Sequence, residues 1–90
     1  MTTLERIRAA IITAVERRGP KKSVCPSEVA RALWPKNWRV HMDDVRTAAA
    51  ALVREGRVRA TQRGQEIDLA AVKGPIRLST TSAEDRATKS

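Results

Sequence analysis

The amino-acid sequence predicts a small α+β domain built from three helices followed by a β-hairpin. Three observations predict it. Apolar residues recur at helical spacing in three successive segments before Gly56; after Gly56 they alternate instead; and a length of 90 residues allows one domain with a single thin core. Hydrophobic residues at 41% and charged residues at 31% describe a folding chain rather than a disordered one. No apolar run approaches the roughly 20 residues that cross a bilayer. The first residues lead straight into an amphipathic pattern without a signal region, so a cytoplasmic protein with no membrane partner is expected.

Leu4, Ile7, Ile11, Ala14 and Val15 form one apolar stripe. Arg17 and Arg18 suit the negative end of that helix and Gly19-Pro20 stops it, which places the first helix at about residues 3–18. Lys21-Lys22-Ser23-Val24 is short enough to be a stub of strand. Pro26 then suits the first position of a second helix, where its missing N–H has no partner to lose. Glu28 stands where a capping carboxylate reaches back, and Val29, Ala30 and Leu33 form the buried face. Pro35 prevents continuation past Trp34, and Pro35-Lys36-Asn37 makes a turn.

A third helix is expected from about His41 to Glu55, with Met42, Val45, Ala48, Ala49, Leu52 and Val53 inward and Gly56 ending it. Its many alanines permit close approach to a neighbouring helix. Val58 and Ala60 then alternate with Arg57, Arg59 and Thr61; Gln62-Arg63-Gly64-Gln65 turns; Glu66-Ile67-Asp68-Leu69 alternates back. Beyond Gly74-Pro75, Ile76-Arg77-Leu78 either adds a third strand or packs across the core. The expected domain covers residues 1–78, and the small polar residues 79–90 form a disordered tail. Three helices and then a hairpin is the winged helix-turn-helix order, in which the hairpin is the wing.

The run CPSEVARAL from Cys25 to Leu33, with Trp38-Arg39, Met42, Val45-Arg46, Gly56 and Gly74-Pro75-Ile76-Arg77-Leu78, resembles a bacterial family of short winged-helix proteins catalogued as a domain of unknown function. The resemblance covers about residues 5–78. It implies the fold and transfers no activity. The acidic pair Asp43-Asp44 departs from it, since one acid is less surprising there than two.

The strongest functional signal is positive charge, a net +8. Arg6, Arg8, Arg17, Arg18, Lys21 and Lys22 outweigh Glu5 and Glu16 along the first segment, and Arg57, Arg59 and Arg63 outweigh Glu66 on the hairpin. This balance points to a polyanionic partner, because each cation placed against a phosphate releases counterions. The expected function is binding of double-stranded DNA with little sequence selectivity. The wing arginines Arg57, Arg59 and Arg63 contact backbone, and Arg39, Arg46 and Thr47 on or before the third helix enter the groove. Asp43 and Asp44 oppose this. Solvated carboxylates facing phosphates each cost on the order of 1 kcal/mol, although in a first turn they also favour the helix dipole. The competing expectation is a protein-interaction module that offers the third helix, or the Trp34 and Trp38 junction, to an acidic partner.

Other chemistries find little support. Trp34 and Trp38 are the only aromatic residues apart from His41 and flank a turn, which suits helix-junction packing better than a base-stacking platform. One cysteine, Cys25, and one histidine, His41, make neither a disulfide nor a zinc site, and nothing in their spacing requires a nucleophile–base pair. The glycines are scattered at turns and form no phosphate-cradling loop. No enzyme, cofactor or metal is expected.

Overall fold

In the computed structural model, residues 2–19, 22–67 and 74–80 are described. Helix α1 spans Thr3–Arg18, and the hydroxyl of Thr2 accepts the Glu5 N–H at its start. Ile7, Ile11 and Val15, four residues apart, are fully buried, whereas Leu4 is 42% exposed, so the apolar stripe fades in the first turn. Gly19 ends the helix with a φ of 83° that few other residues adopt.

Helix α2 spans Pro26–Leu33. Its start is fixed as the sequence indicates. Pro26 occupies the first turn, and the Glu28 carboxylate accepts the Cys25 N–H at 2.7 Å. After the turn at Pro35-Lys36-Asn37, a 3-10 turn runs over Trp38–His41 before helix α3 at Met42–Arg54. The third helix therefore begins one residue later than expected. The His41 ring stacks on Trp34 with centroids 3.7 Å apart, and its backbone takes φ −101°, ψ 0° rather than helical values.

Val45, Ala48, Ala49 and Leu52 are the buried stripe of α3, which lies against both α1 and α2. At its end the Arg57 N–H donates to the Leu52 carbonyl and the Gly56 N–H to the Val53 carbonyl. With Gly56 at φ 76°, this pair of bonds is a Schellman cap, which turns the chain sharply into the sheet.

Strand β1 is Val58–Gln62, β2 is Gln65–Glu66 and β3 is Arg77–Thr80. All pair antiparallel in the order β2-β1-β3. Ile76-Arg77-Leu78 thus leads into a third strand, and Val24 forms a single bridge to Leu78 from the far side. That bridge is all that remains of the expected stub among residues 22–24. Strand β3 continues through Ser79 and Thr80, which pair with Arg59 and Val58 and so belong to the sheet rather than to a tail. Pro20, Lys21, Asp68, Leu69 and the expected tail from Thr81 onward lie outside the described residues. Val58, Ala60, Ile76 and Leu78 close the core against the helices. The architecture is α+β, three helices followed by a small antiparallel sheet, in keeping with a winged-helix layout.

Candidate nucleic-acid interface

Gln62 and Gln65 pair across a two-residue turn whose central residues, Arg63 and Gly64, have φ of 54° and 83°. Two positive φ values in succession define the tight hairpin turn whose twist matches the flanking strands. Arg63 is therefore thrust into solvent at the tip, and it makes no hydrogen bond or ion pair with the described residues.

The other two wing arginines behave differently. Cross-strand pairs put Arg59, Thr61, Glu66, Arg77 and Ser79 on the outer face of the sheet. There Arg59 Nε lies 3.0 Å from Glu66 Oε1, and the fold supplies its counter-charge. Arg57, held by the Schellman cap, stands at the opposite end of β1 from Arg63, about 20 Å away at strand rise. The three residues do not make one patch. Arg77, missed as a site candidate, shares the outer face with Arg59; its Nε donates to Ser23 Oγ at 2.8 Å and its Nη2 to the Ser23 carbonyl at 3.1 Å. Only the strand register could have placed it there, since a period of two is silent about partners.

On α3, Thr47 lies on the exposed stripe with Asp43 and Arg54, and Arg46 stands on one flank of it. Arg46 Nη1 donates to the Gly74 carbonyl at 3.2 Å, while Gln62 Nε2 donates to the Pro75 carbonyl at 3.3 Å. The Gly74-Pro75 segment thus ties the flank of α3 to the root of the wing. Arg39 is elsewhere. Its guanidinium carbon lies 4.9 Å from the centre of the Trp38 ring, and that of Arg31 lies 4.5 Å from the same ring. Both tryptophans are half-buried and pack against the core, in line with a junction role.

Two further arginines are neutralised within the fold. Arg8 grips Glu55 through two bonds of 2.8 Å, joining α1 to the end of α3. Arg18 holds Glu28 at 2.7 Å and the Ser23 carbonyl at 2.9 Å. The Glu28 carboxyl is held below the usual range, first by the Cys25 N–H and then by Arg18. The carboxyl of Glu55 is lowered by Arg8. Cys25 accepts a hydrogen bond from Ser27 at the start of α2, and His41 is engaged by Trp34. Among the described residues no cluster of His, Cys, Asp or Glu could hold a metal ion, and no helix is long and apolar enough to cross a membrane.

No curated protein matches the chain. One family model does, over residues 4–81, and it takes in every described element except the opening residue of α1. The chain belongs to the family described as "Protein of unknown function (DUF3253)".

Proposed function

We propose that this protein binds double-stranded DNA with little sequence selectivity, through the edge formed by the flank of α3 and the tip of the wing. The observation that supports it most is the convergence of Arg46 and Gln62 on Gly74-Pro75, which holds helix and wing side by side with Arg63 projecting beyond them. Arg63 meets phosphate, Arg46 adds positive charge, and Thr47 faces the groove. Of the six residues expected from sequence, Arg59 is committed to Glu66, Arg57 stands at the far end of β1, and Arg39 belongs to the Trp38 cluster. The footprint is smaller than the count of arginines suggests. Asp43 and Asp44, both exposed in the first turn of α3, weaken any close approach of that turn to the backbone. Low selectivity follows, since few base edges are within reach of so small a surface.

Anisotropy of a labelled duplex at two salt concentrations tests the proposal. Affinity should fall steeply with salt, and Arg63→Ala should reduce the slope by about one counterion. Arg59→Gln should change the slope far less, because Glu66 already neutralises that charge. Absence of binding at low salt, or a slope indifferent to Arg63, rejects the proposal.

A further inference from the structure

Arg8, Arg18 and Arg59 each face a glutamate. Arg31 and Arg39 do not. Both guanidinium groups lie against Trp38, and neither has a carboxylate partner among the described residues. Lys36, exposed on the intervening turn, adds a third cation. Val40, on the same 3-10 turn as Trp38 and Arg39, is 73% exposed, whereas the only other exposed large hydrophobic residue among those described is Leu4 at 42%. The segment 31–40 thus holds three cations and an exposed apolar side chain, and no aspartate or glutamate of its own.

We propose that this junction between α2 and α3 docks an acidic protein segment carrying a single bulky apolar residue. Charge complementarity selects the partner. A guanidinium stacked on an indole keeps its N–H edge for a carboxylate and has already lost much of its rotational freedom, so less is lost on binding. Val40 selects protein over nucleic acid, because a phosphate chain gains nothing from an isopropyl group while a leucine side chain covers it. Stacking of bases is disfavoured as well, since Trp38 carries the two guanidinium groups and Trp34 carries His41. The net +8 of the chain draws such a partner in from a distance. This surface is separate from the Arg46–Arg63 edge, and either can exist without the other.

The experiment is nuclear magnetic resonance of the whole chain, ¹⁵N-labelled, with the two indole N–H signals as reporters. The probe is a synthetic peptide with one leucine flanked by glutamates, compared with the same peptide bearing serine for leucine. The Trp38 signal should shift saturably with the leucine peptide. Binding should weaken about tenfold with the serine peptide or with Val40→Ser, and vanish with Arg31→Glu/Arg39→Glu, while Arg63→Ala leaves it unchanged. Val40 is exposed, so its variant keeps the test valid if the charge reversal does not fold. Three results overturn the proposal: no saturable shift at Trp38 up to millimolar peptide; equal affinity for the serine peptide; or displacement of the peptide by a duplex oligonucleotide that moves the same signals. The last assigns the patch to nucleic acid.

Discussion

Glu28 carries three tasks with one carboxylate. It caps α2 through the Cys25 N–H, pairs with Arg18 at the end of α1, and lies close enough to Arg77 of β3 to feel its charge. Each of these favours the ionised form, so the folded-state pKa lies below the unfolded one. A depressed carboxylate contributes stability above its unfolded pKa, about 4.3, and that contribution is lost as pH falls through the folded value. Glu55 acts in the same direction through Arg8. Thermal melts from neutrality to about pH 3 should show the melting temperature dropping on the acid side, and Glu28→Gln should flatten that limb while lowering the neutral plateau. The effect is modest, because both partners are some two-fifths exposed and solvent screens them. Superimposable acid limbs for the two proteins contradict this account.

At the scale of elements, α3 illustrates what alanine contributes. Ala48 and Ala49 are buried on α3, which packs against both other helices, and a close-packed interior leaves little room for a larger residue. Ala49→Leu should destabilise by roughly 1–3 kcal/mol, whereas Thr47→Leu on the exposed face should lie within about 0.5 kcal/mol; chemical denaturation measures both. These helices were legible in the sequence because their signals are local: the Gly19 stop, the Pro26 start with Glu28, and Gly56 in its cap. The 3-10 turn before α3 was not, since it accompanies a ring contact between His41 and Trp34 that no spacing rule contains. Strand β3 was left open for a similar reason. Ile76-Arg77-Leu78 alternates equally well as a strand or as a strap, and only the register Ala60–Leu78 and Thr61–Arg77 decides.

For the molecule as a whole, the number of arginines overstated the charge available to a partner. Arg8, Arg18 and Arg59 are matched by glutamates that lie 47, 10 and 7 residues away in the chain, and such pairs are invisible to a linear count. The helix–wing edge was legible in its residues but not in its assembly, for Arg46 and Gln62 converge on Gly74-Pro75, 28 and 13 residues further along the chain. The Trp38 cluster was foreshadowed as a junction, without the two cations that give it character. Arg63 holds a left-handed backbone for which asparagine or glycine is far better suited, at a cost on the order of 1 kcal/mol. Arg63→Asn should therefore raise the melting temperature while weakening the grip on a duplex. A mutant library ranked by heat resistance alone should discard this arginine early, and one ranked by nucleic-acid retention should keep it, so comparing the winners of the two selections reveals whether that awkward residue is tolerated for its charge.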